Sequence, residues 1–145
     1  MCYDLIKKYE SCRLIAYPDP ATGGVPWTIG YGSTINANGQ PFKQGDEITK
    51  ETAEALLRDY LIKDVCPVFN KIPYRLTEKQ RQAVASLCYN IGTPAFLKSS
   101  LFKAICEKDI KGIFSNWNWI SANGKVMKGL AKRRAEELFL FMEGL

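Results

Sequence analysis

The chain has 145 residues, the size of one domain, and 46% of them are hydrophobic, enough to build one core. Charged residues make up 24% and no stretch is dominated by one residue type, which excludes collagen-like, disordered and low-complexity proteins. Twenty Lys and Arg against 15 Asp and Glu give +5, which favours polyanionic partners; the absence of histidine leaves acid–base chemistry to carboxylates, Lys, Tyr or Cys.

In chain order, Leu5, Ile6 and Tyr9 recur at helical spacing and predict a short helix over 2–11, with Glu10 on its last turn. Short apolar stretches broken by Pro18, Pro20, Gly23, Gly24, Pro26, Gly30 and Gly32, then the turn pair Asn38-Gly39, predict a small antiparallel sheet over 13–45. Thr49 is placed to cap a helix over 50–65 that buries Ala53, Leu56, Leu57, Tyr60, Leu61 and Val65 and ends before Pro67. Thr77 with Gln80 is a capping-box pattern; Ala83, Val84, Leu87, Cys88 and Ile91 follow as a core face, and Gly92 as a stop. Thr93-Pro94 reads as N-cap plus first helical position. Helices near 99–107 and 109–117 follow, and Gly129 precedes a last one running through Leu138, Phe141 and Met142.

This order predicts one α+β domain over 1–145: a sheet lobe of about 13–48, a linking helix of about 50–65, and a helical lobe of 1–12 plus about 66–145, with a ligand cleft between the lobes. The five cysteines, Cys2, Cys12, Cys66, Cys88 and Cys106, are scattered, odd in number and without a C-x-x-C pair, so they indicate no zinc cluster and no complete disulfide framework. Cys88 and Cys106 lie in apolar runs and are expected as buried structural thiols. Met1-Cys2-Tyr3-Asp4 has neither the basic n-region nor the apolar stretch of an export signal, and no later run approaches a membrane span. The expectation is synthesis in the cytoplasm, with any action outside needing a separate release route.

Chemistry concentrates between Glu10 and Thr34. A carboxylate at a helix end is followed by Asp19 in a Pro-rich turn and by Thr28 in a Trp-Thr-Ile-Gly strand, so both acids can face one cleft. Singly, each has an ordinary reading: Glu10 as a solvated helix residue, Asp19 as a favoured turn residue, Thr28 as a strand residue. The combination is more specific. Ala16-Tyr17-Pro18-Asp19, with Asp19 nine residues after Glu10, Trp27-Thr28-Ile29-Gly30-Tyr31-Gly32, Tyr89-Asn90-Ile91-Gly92, and Gly129-Leu130-Ala131-Lys132-Arg133-Arg134 with Glu137-Leu138 occur in one order along nearly the whole chain. In these blocks the chain resembles the phage-type lysozymes, or endolysins, of glycoside hydrolase family 24.

That resemblance implies a lysozyme-like fold and cleavage of the β-1,4 bond between N-acetylmuramic acid and N-acetylglucosamine in peptidoglycan, serving host-cell lysis. Glu10 would be the general acid, with Asp19 and Thr28 holding the attacking water or stabilising developing positive charge. Thr34, Tyr89, Asn90 and Ser100 would contact the glycan. Such a reaction needs two carboxyl groups in different environments and neither metal nor cofactor. The sequence departs from the family's pattern in two places. Eight residues separate Asp19 from Thr28, longer than usual, so Thr22 stands as an alternative to Thr28; and Ser33 and Thr34 follow Gly-Tyr-Gly where many members carry His.

Several assignments stay open on the residues alone. Tyr89 is a sugar-stacking face or core, Asn90 a ligand contact or a helix end, and Ser100 a contact or an N-cap. Trp27, Trp117 and Trp119 stack on glycan or simply pack. The basic run Lys125, Lys128, Lys132, Arg133 and Arg134 is a solvated helix face, with Lys132–Glu136 and Arg133–Glu137 pairs, or a patch for anionic wall or outer-membrane polymers. No nucleic-acid docking motif is present, and a monomer is expected. The competing functions are a lytic transglycosylase, which forms an anhydro sugar without water, and a non-catalytic cationic wall-binding or bactericidal protein.

Overall fold

The computed structural model describes residues 3–122 and 124–145, so Cys2, the first residue of the helix expected over 2–11, lies outside the described residues. The chain divides into two compact units, Lys7–Ile62 and Met1–Ile6 with Lys63–Leu145.

Helix α1 (Asp4–Glu10) supplies the start of the first of these units. It stops where Ser11 takes a φ of 40°, a left-handed backbone that ends the hydrogen-bonded spiral. Strand β1 (Arg13–Tyr17) then pairs antiparallel with β2 (Thr28–Gly30), Arg13 facing Gly30 and Tyr17 facing Thr28, with a bulge between the two pairs. Beyond these two strands the sheet expected over 13–45 is irregular. The Ile48 amide donates to Leu14 O and the Ala16 amide to Asp46 O, both at 2.9 Å, and single bridges join Ile29 to Ser33 and Ile35 to Pro41. The density of Pro and Gly accounts for this, since Pro removes ladder donors and Gly weakens strands. The Asn38-Gly39 turn forms as expected: Gly39 has φ 80°, and Asn36 Oδ1 takes the amides of Asn38 and Gln40.

Helix α2 (Lys50–Tyr60) begins at the predicted cap, with Thr49 Oγ1 accepting from the Thr52 amide at 3.1 Å. It packs on β2. Gly30 has φ 65°, and a Cβ there would stand 3.3 Å from the Ala53 methyl, so the strand end combines a left-handed backbone with close helix contact that glycine alone supplies at no cost. Ala16, Ile29 and Phe42 form this unit's core, with Trp27, Ile48 and Leu56 packed around them. Trp27 is therefore a packing residue.

The helix expected to run to 65 instead changes pitch. A π-helical turn, Leu61–Val65, follows α2, and α3 (Cys66–Phe69) comes next. Pro67 does not end the helix as expected. It sits in the first turn of α3, where its missing amide leaves no bond unmade.

The second unit is helical: α4 (Glu78–Ile91), α5 (Thr93–Leu97), α6 (Ser100–Glu107), α7 (Ile110–Asn116) and α8 (Lys128–Glu143), with a short hairpin, β3 (Ser121–Ala122) and β4 (Lys125–Val126), before α8. The Thr77–Gln80 capping box forms, and α4 buries Ala83, Val84, Leu87 and Cys88 in its packing with α8. Two boundary expectations are corrected. Gly92 rather than Thr93 caps α5, and the Thr93 hydroxyl donates to Asp64 O at 2.8 Å; Gly129 lies inside the first turn of α8 rather than before it. The cysteines Cys12, Cys66, Cys88 and Cys106 are free thiols. Burial pushes the Cys88 thiol up to about 12 and raises that of Cys106, although Cys106 is only half-buried.

Candidate active site

The three residues assigned to catalysis all fall in the Lys7–Ile62 unit. Glu10 is the last residue of α1 and is partly exposed, as helix-end residues tend to be. One turn earlier, Lys7 donates from Nζ to Glu54 Oε1 on α2 at 2.9 Å and lies over the Tyr31 ring, 6.0 Å from its centroid. This contact ties the end of α1 to α2 and to the Gly-Tyr-Gly turn. The hydrogen bond and charge of Lys7 hold the Glu54 carboxyl below its ordinary range, while burial raises the Tyr31 phenol and keeps it neutral.

Asp19 follows β1 by two residues and organises the long turn. Its amide donates to Gly24 O at 2.9 Å, its carbonyl accepts from Thr22 and Gly23, and its Oδ1 accepts from the Ala21 amide at 2.7 Å. Such an Asx turn fixes the carboxylate relative to the strand end. Thr28 opens β2 directly across from Tyr17, so the register brings Asp19 and Thr28 to the same end of the hairpin. The Thr28 hydroxyl is partly exposed and donates to Pro26 O at 3.3 Å, a long bond that leaves it readily redirected. Thr22 is different. Its hydroxyl donates to Val25 O at 2.6 Å and accepts from the Gly24 amide at 3.2 Å, so it is spent in closing the inserted turn.

The other predicted contacts are more scattered. Thr34 belongs to the same unit and is partly exposed; its carbonyl accepts from the Phe42 amide at 3.1 Å. Tyr89, Asn90 and Ser100 belong to the helical unit. Tyr89 is partly exposed and Asn90 exposed on the last turn of α4. Ser99 rather than Ser100 is the N-cap of α6, accepting from the Phe102 amide at 3.1 Å, and Ser100 is the first, exposed residue of that helix.

The basic run divides. Lys125, Lys128 and Lys132 are exposed, but Arg133 and Arg134 are buried at 3% and 2% exposure, so the reading of all five as one solvated face is corrected. Both guanidiniums turn inward to Glu137, itself fully buried: Arg133 Nε lies 3.3 Å and Arg134 Nη2 2.8 Å from Glu137 Oε2. Ser86 Oγ and Trp117 Nε1 also donate to Glu137, and Arg134 Nη1 donates to Asn90 Oδ1 at 2.8 Å. Trp117 is thus a core residue, tilted against Phe141. Sequence reasoning missed the Lys7–Glu54–Tyr31 contact, whose local signal was Lys7 one turn before Glu10. It also missed the β3–β4 hairpin, signalled by an Asn-Gly pair at 123 and 124 in the sequence.

The fold is lysozyme-like, and its relatives make the chain a glycoside hydrolase. The family model described as phage lysozyme matches residues 7–137, and the chain belongs to that family. It is 41% identical over 142 residues to the endolysin of Acyrthosiphon pisum secondary endosymbiont phage 1, covering 94% of this chain and 92% of that one. It is 35% identical to the endolysin of Bacillus phage PZA across 97% of its own length, but spans only 53% of that longer protein. Among solved structures, the endolysin from Escherichia coli O157:H7 phage FAHEc1 superposes with a TM-score of 0.84 at 33% identity, covering 99% of this chain and 91% of that one. The muramidase domain of SpmX from Asticaccaulis excentricus gives a TM-score of 0.77 at 34% identity, covering 97% and 93%. No helix among the described residues is long and apolar enough to cross a membrane.

Proposed function

We propose that this phage-type lysozyme hydrolyses the β-1,4 bond between N-acetylmuramic acid and N-acetylglucosamine, with Glu10 as general acid and Asp19 and Thr28 holding the attacking water. Glu10 protonates the departing glycosidic oxygen, a poor leaving group otherwise. Water, oriented by the Thr28 hydroxyl, adds to the anomeric carbon as it develops oxocarbenium character, and its proton passes to Asp19. Inversion at that carbon is the outcome of such direct attack. Thr34, Tyr89, Asn90 and Ser100 contact the glycan, and the exposed Lys125, Lys128 and Lys132 draw the protein to anionic wall or outer-membrane polymers.

The observation that carries the reading is the hairpin register, Tyr17 opposite Thr28, with Asp19 pinned by the Ala21 amide just beyond. It puts a fixed carboxylate and a lightly committed hydroxyl at one strand end, while Thr22 is engaged elsewhere. Digestion of purified murein in ¹⁸O-labelled water tests it. Reducing muramic ends carrying one label, released first as the α-anomer, are expected. Anhydromuramic ends would assign the protein to lytic transglycosylases, and β-anomers would replace direct attack by a covalent intermediate.

A further inference from the structure

The hairpin before α8 stands apart from the rest of the helical unit in both exposure and charge. Every described residue from Ser121 to Gly129 is exposed. Side chains at successive strand positions point to opposite faces, and here both faces are uncovered: Val126 is 68% exposed and Met127 46%. A two-stranded ribbon draws stability from an apolar face packed on a neighbour. This one is instead closed by the Ser121–Val126 and Ala122–Lys125 pairs and by the Met127 amide, which donates to Ile120 O at 2.9 Å. The Val126 and Met127 side chains therefore contribute little to the fold from where they stand.

The charge around them has one sign along the chain. No Asp or Glu occurs between Asp109 and Glu136, while Lys125 and Lys128 flank the apolar pair and Lys132 follows one turn into α8, all three exposed. Trp119, partly exposed, lies two residues before β3. Two aliphatic side chains bracketed by lysines, with an indole close by, match the boundary of an anionic bilayer: ammonium groups meet headgroup phosphates, aliphatic groups enter the acyl boundary, and an indole suits the level between. Lysines alone fit any polyanion, as in the attraction proposed above. The apolar pair narrows the partner, because a hydrated phosphate polymer offers Val126 and Met127 no apolar surroundings.

We propose that the β3–β4 hairpin docks on an anionic phospholipid bilayer, with Val126 and Met127 entering the acyl boundary between Lys125 and Lys128. This deepens the electrostatic attraction proposed for the three lysines, on which it rests, and is independent of the catalytic assignments.

Co-sedimentation with vesicles tests it, and neither murein nor turnover enters the measurement. The protein is expected to bind vesicles of phosphatidylcholine mixed with phosphatidylglycerol and to leave pure phosphatidylcholine vesicles unbound. Lys125→Gln combined with Lys128→Gln is expected to weaken binding about 25-fold, roughly fivefold for each lysine. Val126→Thr combined with Met127→Gln is expected to weaken it about tenfold, while melting temperature, murein turnover and binding to soluble polyglycerol phosphate stay as in the parent. Equal binding to neutral vesicles, or undiminished vesicle binding by the Val126→Thr, Met127→Gln protein, would overturn the proposal. Binding of the parent to polyglycerol phosphate but not to phosphatidylglycerol vesicles would remove the bilayer and keep the attraction to anionic polymers; binding to neither would remove both.

Discussion

Glu10 and Glu137 are both helical glutamates, and the contrast between them separates the two units chemically. Glu10 closes α1, partly exposed, at the start of a unit held by a small apolar core and a surface tie through Lys7. Glu137 sits within α8 with no exposure, and two guanidiniums, a hydroxyl and an indole satisfy its oxygens. A carboxylate whose lone pairs are all taken by its own protein has little left to offer a substrate. Glu10, partly exposed at a helix end, is the carboxyl proposed above as the proton donor. The same holds on a smaller scale for Thr22 and Thr28, where the hydroxyl engaged in two loop bonds is structural and the one on a single long bond is available.

The largest effect that sharpens this contrast belongs to Glu137→Ala. Removing the acid leaves two buried guanidiniums uncompensated, a loss of about 3–5 kcal/mol that lowers the melting temperature by roughly 10 °C or more. Thermal unfolding by circular dichroism measures it, and a shift of a degree or two would mean that Arg133 and Arg134 find water instead. Next comes Thr28→Ala, expected to cut murein turnover roughly 10- to 100-fold, or about 1.4–2.7 kcal/mol of transition-state stabilisation, with stability nearly unchanged. Thr22→Ala is expected to leave turnover within about twofold. The reverse ranking would move the water-holding role into the inserted turn.

Smaller effects concern the tie at Lys7 and the buried thiol. Because Lys7 lowers the Glu54 carboxyl, the pair's contribution is present above the ordinary carboxylate pKa of about 4.3 and is lost as pH falls through the lowered folded value. Glu54→Gln is therefore expected to flatten part of the acid limb of stability against pH while leaving neutral-pH stability little changed, since the pair is largely solvated. An unaltered acid limb would remove the pair from the account. Alkylation mapped by mass spectrometry is expected to mark exposed Cys12 early and Cys88 only on unfolding, its thiol lying at about 12.

Much of the fold follows from local chemistry. Thr49, the Thr77–Gln80 box and the Asn38-Gly39 turn are short-range devices, and each forms where the residues indicate. Element ends were less legible. Pro67 and Thr93 carry signals that fit two positions in a helix start, and packing chooses between them. Arg133 and Arg134 were misread for a different reason. An i,i+4 charge pair looks the same on a solvated face and a buried one, and what buries this one is Ser86, 47 residues from Arg133, and Asn90, 44 from Arg134. For the candidate site, the sequence nominates Glu10, Asp19 and Thr28 from an ordered motif, and the structure adds the hairpin register that brings Asp19 and Thr28 to one end. The proposal of Thr28 rather than Thr22 draws on hydrogen bonds that only folding defines.

The most direct measurement is turnover of purified murein by Glu10→Gln, with its melting temperature determined alongside. An isosteric amide keeps the helix end in place and cannot deliver a proton, so the account predicts a loss of about three orders of magnitude or more at an essentially unchanged melting temperature. Turnover within tenfold of the parent, from a protein equally well folded, would contradict the assignment of Glu10 as the acid.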